Sequence, residues 1–314
     1  MFKKISPRIF VLTLCLMAAA VSALLFIDPW GWFNTAGAVG VSTDAFPGVE
    51  VPALYPSPQP LSDGSFNVLI LGIDHGLGRP AEGNNRSDVI MVAHVDEKRY
   101  KACLLSIPRD SYVEIPGHGR AKINEAYSLG GATLALATVS QLTGMEIRNY
   151  VALDFDEFKK LVDLFGGFQI TLDQPVLDPK VGAIPAGNVF LNGEQALILA
   201  RSRNYPNADL SRVRQQQRIL TQILYKGKEL AAYPGAAWFL STAKGSVETD
   251  FTLDELIRLC REFASFPVVD VQGGVAPGKV GTAGAASVIL VDQQGLQRLV
   301  QSIQASSIVP DEFR

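Results

Sequence analysis

Leu69-Ile70-Leu71-Gly72-Ile73-Asp74 is an apolar run without a polar break, closed by a carboxylate. A short continuous run of this kind, lacking alternation, reads as a strand covered on both faces. We place that strand at Asn67–Ile73. Two more of the same character follow, Val89–Val95 and Lys101–Ile107. Strands covered on both faces need helices above and below, and the sequence supplies them. A small-residue helix at Ala132–Leu142 is stopped by Gly144, and a helix behind Asp154 is ended by Gly166-Gly167. Others fall at Glu194–Ala200 behind Asn192, about Ser211–Ala231, Leu253–Phe263 and Gln293–Ile303. Asp154 with Glu157, and Thr252 with Glu255, are spaced as capping boxes, which satisfy orphan backbone N–H groups at a helix start. Further strands are expected at Tyr150–Leu153, Gln169–Leu172, Val268–Val271 and Ser287–Val291. The alternation gives an α/β fold with a mixed central sheet flanked by helices.

Upstream, residues 28–64 hold six prolines and no periodic pattern, which reads as an extended tether. Before them, Ile9–Ile27 are 19 residues without a charge. At ~1.5 Å per residue such a helix spans roughly 28 Å, close to the ~30 Å hydrocarbon core of a bilayer. Lys3, Lys4 and Arg8 precede it and no basic residue follows closely, so its N-terminus is expected in the cytoplasm. Val21-Ser22-Ala23 also suits a cleavage site, so the segment is either an uncleaved anchor or a removed signal. Leu24-Leu25-Phe26-Ile27 continue the apolar run past that site, as an anchor would. Both readings put everything after Asp28 outside the cytoplasmic membrane. The expected division is a cytoplasmic stub 1–8, a transmembrane helix 9–27, the tether 28–64, one catalytic domain 65–305 and a tail 306–314.

With 47% hydrophobic residues in 314, the chain can fill a real core, which excludes disorder. Its three cysteines, Cys15, Cys103 and Cys260, form no CxxC or Cys/His cluster, so disulfide scaffolds and zinc ribbons are excluded. Cys103 and Cys260 are either a pair or, the reading preferred here, two separate buried thiols, since sequence alone does not fix their distance. The net charge is −3, and setting aside Lys3, Lys4 and Arg8 leaves 25 basic against 31 acidic residues, −6, outside. An acidic external domain without a basic stripe has no nucleic-acid partner.

Five arginines nevertheless crowd into 18 residues, Arg201, Arg203, Arg212, Arg214 and Arg218, with Asp209 among them. Guanidinium forks bind phosphate bidentately, and several aimed at one point suit a diphosphate. Arg212 and Gln216 are four apart and share a helix face, with Ile219, Leu220 and Leu224 packing the other side. Upstream, Asp74 closes one strand, and Arg86-Ser87-Asp88 precede the next across a polar loop. Two such carboxylates together with substrate phosphate oxygens suit a Mg2+ site. Ser106-Ile107-Pro108-Arg109-Asp110 ends the third strand, and Lys122 follows, so Arg109 and Lys122 are further phosphate contacts.

The order Gly72-Ile73-Asp74, Arg86-Ser87-Asp88, Ile107-Pro108-Arg109-Asp110, Lys122-Ile123-Asn124-Glu125-Ala126-Tyr127, Arg201-x-Arg203, Asp209-x-x-Arg212 and Gln216 resembles the LytR-CpsA-Psr family of bacterial cell-envelope proteins. The resemblance covers about residues 66–225, more loosely to 305. It implies a phosphotransferase that moves a glycopolymer, teichoic-acid-like or capsular, from a polyprenyl-diphosphate carrier onto peptidoglycan through a phosphodiester. It also implies Asp74 and Asp88 as ligands of Mg2+ (or Mn2+). Arg86, Arg109, Lys122, Arg201, Arg203, Arg212 and Gln216 would hold the diphosphate, with Arg109, Arg203 and Arg212 acting on the transition state. Asp110 is the candidate base. The lipid is expected in an apolar groove, for which Leu134–Val139 and Phe158–Phe165 are candidate linings. The alternative is a protein that binds or hydrolyses polyprenyl diphosphates without ligase activity. The resemblance implies an Arg at the position of Gln215 in many relatives; here Arg214 sits one residue earlier, about 100° around the helix.

Overall fold

A computed structural model describes residues 65–74, 85–96, 98–164, 166–178, 182–202, 208–231, 247–252, 255 and 270–314. The expected membrane segment, the tether, Arg203, Cys260 and the helix at Leu253–Phe263 apart from Glu255 lie outside these residues. No helix among the described residues is long and apolar enough to cross a membrane.

Three strands lead the domain as expected: β1 Ser65–Asp74, β2 Arg86–Asp96 and β3 Lys101–Ser106. They form an antiparallel meander at the centre of a six-stranded sheet. β6 (Asn149–Asp154) lies parallel to β1, and β12 (Asp270–Val275) lies parallel to β3. A short β11 (Glu248–Thr249) closes the β6 edge in antiparallel sense. The sheet is therefore mixed. Small two-stranded ribbons decorate it: β4 (Tyr112–Ile115) with β5 (Gly119–Lys122), β7 (Phe168–Leu172) with β10 (Gly187–Leu191), β8 (Val176–Asp178) with β9 (Gly182–Ile184), and β13 (Gly278–Ala283) with β14 (Ala286–Val291).

Alternate residues of the central strands feed two separate cores. Val68, Ile70, Met91, Ala93 and Leu104 face α2 (Phe155–Leu164), α3 (Gly193–Arg201) and α4 (Ala208–Ala231). Leu69, Leu71, Ile90, Val92, Cys103 and Leu105 face α1 (Glu125–Thr143) and α5 (Gln293–Ser306). Period-2 alternation in a strand with no polar side is what a three-layer arrangement requires. The local signals work as written. Asp154 Oδ1 accepts from the Glu157 N–H at 2.7 Å while the Glu157 carboxylate accepts from the Asp154 N–H at 3.0 Å. Asn192 with Gln195 forms a further capping box, and Thr252 with Glu255 bonds reciprocally.

Two expectations need correction. The apolar stretch Leu134–Val139 belongs to α1, on the sheet face opposite the cavity described below, and packs there as ordinary core. The 306–314 segment is folded onto the domain rather than set apart. Val309 is fully buried, Phe313 nearly so, and the Ser307 hydroxyl donates to Asp96 Oδ2 at 2.7 Å. Its apolar positions Ile308, Val309 and Phe313 were the available signal.

Helix α4 is fastened to the sheet by Gln217. Its Nε2 donates to Ser106 Oγ at 2.9 Å and to the carbonyls of Gly274 and Leu104 at 2.9 and 3.2 Å. The helix comes so near that a Cβ on Gly273 would sit 2.2 Å from Gln217 Oε1, so only glycine allows this approach.

Candidate active site

The β1–β2 ladder contains one irregularity, and it falls at the site. Gly72 pairs with Val89 but Ile73 pairs with Ser87, leaving Asp88 as the extra residue of a bulge. A bulge breaks the strict in/out alternation and re-aims a side chain, as bulges beside active sites do. Asp88 and Val89 consequently both reach the same cavity. The strand packing there is tight. A Cβ on Gly72 would lie 2.9 Å from Val89 Cβ and Cγ2.

That cavity, about 360 Å3, opens between the sheet and helices α2, α3 and α4. Its interior is apolar: Ile70, Met91 and Val151 from the sheet, Phe158 and Leu161 from α2, Leu197 from α3, Ile219, Leu220 and Ile223 from α4. Its mouth is polar. Asp74 and Asp154 stand at the ends of β1 and β6, beside Asp88, Arg109, Arg201, Arg212 and Gln216. The sequence accounts for this gradient, because residues 212, 216, 219, 220 and 223 share one face of α4 at i, i+4, i+7, i+8 and i+11. Ile219 and Leu220 thus line the same face as Arg212 and Gln216, not the opposite one.

Arg109 and Asp88 hold the centre of the mouth, Nη1 to Oδ1 2.7 Å, each side chain 24% exposed. Arg109 Nε lies 3.6 Å from Asp110 Oδ2, and Lys122 Nζ donates to Asp110 Oδ1 at 2.6 Å. Gln216 Nε2 donates to the Ala200 carbonyl at 3.1 Å, fixing α4 against the end of α3 where Arg201 leaves the helix. The Arg201 guanidinium lies 4.8 Å from the Phe155 ring centroid, a cation–π contact that sets it at the rim.

The structure therefore brings together Asp74, Asp88, Arg109, Arg201, Arg212 and Gln216. Asp110 stands one residue behind, with Lys122 bound to it and not lining this cavity. Arg86 is exposed at the start of β2, paired in register with Asp74, and does not line the cavity either. Arg214 does not take the place of an arginine at 215. Its Nη2 donates to the Arg314 carbonyl at 2.7 Å on another face of α4, and Gln215 is buried. Sequence reasoning missed Phe155 and the cavity-facing role of α4. The aromatic at 155, one residue after a strand-end acid, and the i+7 spacing from Arg212 to Ile219 were the usable signals.

Among the described residues no three His, Cys, Asp or Glu side chains converge as a metal cage. Mg2+ needs none, since it commonly takes one or two carboxylates, water and substrate phosphate oxygens. Asp74 and Asp88 at one mouth are hard oxygen donors of the right kind, so the residues present fit that ion.

Fold and cleft together define a three-layer α/β protein with a site for an amphiphile, apolar along its length and anionic at its end. The LytR_cpsA_psr family model matches residues 44–305, and the chain belongs to that family. It is 33% identical over 246 residues to the polyisoprenyl-teichoic acid–peptidoglycan teichoic acid transferase TagU of Enterococcus faecalis, covering 76% of this chain and 78% of that protein. The crystal structure of Bacillus subtilis TagT superposes with a TM-score of 0.63 at 27% identity, over 80% of this chain and 93% of that one. A structure of the LytR-CPS2A-psr family protein YwtF (TagT) with bound octaprenyl pyrophosphate lipid gives 0.61 at 27% identity, over 80% and 92%.

Proposed function

We propose that this chain is a phosphotransferase that moves a glycopolymer from a polyprenyl-diphosphate carrier to peptidoglycan through a phosphodiester. The observation that carries the reading is the junction of an apolar cavity with a mouth where Arg109, Arg201 and Arg212 converge beside three aspartates. A polyprenyl chain gains about 0.8 kcal/mol per buried methylene in such a cavity. Its diphosphate then arrives among Arg109, Arg201 and Arg212. The relatives named for teichoic acid transfer and the relative with a bound polyprenyl pyrophosphate support the same reading.

The chemistry follows from the arrangement. A sugar hydroxyl attacks the phosphorus bonded to the glycan, and polyprenyl monophosphate leaves. The transition state spreads charge over the equatorial oxygens, and fixed guanidinium groups stabilise it without reorganising. Arg109 is pre-set by Asp88, and Arg212 and Gln216 by their shared helix. Asp110, held by Lys122, is the carboxylate we assign to receive the hydroxyl proton. Asp74 and Asp88 would hold Mg2+ (or Mn2+), which supplies further compensation of phosphate charge when bound. Arg203 completes the proposed set of phosphate contacts, which leaves out Arg86 and Lys122 because neither lines the mouth. We place the domain outside the cell, tethered by residues 28–64 to an anchor at 9–27 in the cytoplasmic membrane.

The test is the full chain in detergent micelles with a polyprenyl-diphosphate glycan, Mg2+ and peptidoglycan fragments. Mass spectrometry follows released polyprenyl monophosphate and linked product, with Arg212→Ala and Asp88→Ala alongside. A linked product that both substitutions abolish is the expected result. Monophosphate without linked product indicates a pyrophosphatase. Tight lipid binding without released monophosphate leaves a binding protein.

A further inference from the structure

The charged mouth has a second side. Asp88, Val89, Arg109, Arg212 and Gln216 also wall another cavity of about 350 Å3. The two lie on either flank of β2: the first under β6, β1 and β2, the second beyond it at the ends of β3 and β12. The linings differ. The second offers Pro108, Pro277, Val280 and Phe313 with Asp110 and Glu312, and its volume falls within the ~300–1,000 Å3 of small-molecule sites. Its walls are fixed to the site: the Ile289 N–H donates to the Asp110 carbonyl at 2.8 Å, and Arg214 holds the C-terminal carbonyl at 2.7 Å.

In-line displacement places the attacking and leaving oxygens on opposite sides of phosphorus. A phosphorus seated on the Arg109–Arg212 wall, with its polyprenyl chain in the first cavity, is open to attack from the second. Sugars present C–H faces to apolar walls and hydroxyl edges to carboxylates, which is the mixture found here. Val280, 82% exposed, stands at the rim of this cavity, where a larger side chain can be introduced without disturbing the core.

We infer that the second cavity is the acceptor subsite, receiving a sugar of the peptidoglycan glycan strand; the inference rests on the transferase reading. The sugar hydroxyl oxygen bonds to the glycan-bearing phosphorus, its proton passes to Asp110, and the bond to the bridging oxygen breaks. Polyprenyl monophosphate departs with that electron pair.

Val280→Trp fills the mouth of this cavity from an exposed position, and Leu177→Trp, 63% exposed on β8, is the control. The full chain in micelles is titrated with a peptide-free peptidoglycan tetrasaccharide by saturation-transfer NMR, and the acceptor KM is measured in the transfer assay. Val280→Trp is expected to weaken tetrasaccharide binding and raise acceptor KM by about tenfold or more, with Leu177→Trp at wild-type values. Equal binding in wild type and Val280→Trp, or no binding by wild type, overturns the subsite. Binding lost in Val280→Trp with no monophosphate released by any form keeps the subsite and removes the transferase reading instead.

Discussion

Arg109 Nη1 lies 2.7 Å from Asp88 Oδ1, and this pair forms the partition between two cavities of nearly equal size. Asp88 occupies that position because the bulge opposite Gly72 and Ile73 turns it from the ladder toward the mouth. Arg109 follows Pro108 at the end of the third strand, whose Ile107 N–H still donates to the Ile90 carbonyl at 2.9 Å. Guanidinium and carboxylate are thus delivered by neighbouring strands and orient each other before substrate arrives.

Arg109→Ala is expected to lower release of polyprenyl monophosphate by about 10²–10³, the scale of removing one fixed donor at a transition-state anion. Arg109→Lys should recover little, because a point charge cannot reproduce a planar fork. Single-turnover rates at saturating donor check this. Full activity in Arg109→Lys would remove Arg109 from the phosphate.

Cys103 lies in the centre of β3, and burial, with Asp270 adding to it, pushes its thiol up to about 12. The native thiol should resist alkylation at pH 8, which peptide-resolved mass spectrometry after iodoacetamide, with and without urea, measures. The stability effect has a definite sign. Above the ordinary thiol value near ~8.5 the unfolded chain releases this proton while the folded chain keeps it. Stability conferred at this position is therefore complete below about pH 8 and declines as pH rises toward 12. Urea titrations of wild type and Cys103→Ala from pH 7 to about 10 should show the difference between them drifting against the wild type only above that point.

The central strands were legible because runs such as Leu69–Ile73 leave no solvent face, and a residue covered on both sides has few alternatives. The capping boxes were legible because they are local. The ribbons β4–β5 and β8–β9 and the strand β13 were not, being short, whereas β14 answers to the strand expected at Ser287–Val291. At the site, residue types and their order pointed to Asp74, Asp88, Arg109, Arg201, Arg212 and Gln216. Which flank each faces depended on the bulge at Asp88 and on the depth of α4, and neither is written in a motif. The same limit governs Arg214, whose partner is the last residue of the chain.

Gln216 and Gln217 are adjacent on α4 and serve different ends. Gln217→Leu leaves Ser106 Oγ and the Gly274 and Leu104 carbonyls without their donor, a loss of about 1–3 kcal/mol for buried groups. Its melting temperature should fall by about 2–4 °C per kcal/mol for a domain of this size. Gln216→Ala gives up only the bond to the Ala200 carbonyl, so its melt should fall by less than that of Gln217→Leu while its turnover drops more. Calorimetry and the transfer assay on both variants separate the roles. A reversed pattern would show that α4 presents a different face.

Leu220 sits where the charged end of the first cavity gives way to its apolar interior, one turn beyond Gln216. An indole there has about 360 Å3 of cavity to enter, so Leu220→Trp should fold without the overpacking cost of a filled core. It would occupy the path of a long isoprenoid while leaving Arg109, Arg201 and Arg212 untouched. A diphosphate with a short prenyl chain reaches only the mouth, whereas a long chain must pass residue 220. Affinity for the long-chain diphosphate is therefore expected to drop by about tenfold or more, equivalent to ~1.4 kcal/mol or two buried methylenes. Affinity for the short-chain analogue should change by less than about threefold. Fluorescence competition with the two lipids in the same micelles gives the ratio directly. An equal loss for both lipids would mean that the chain leaves the diphosphate by another route, and that this cavity is not where it lies.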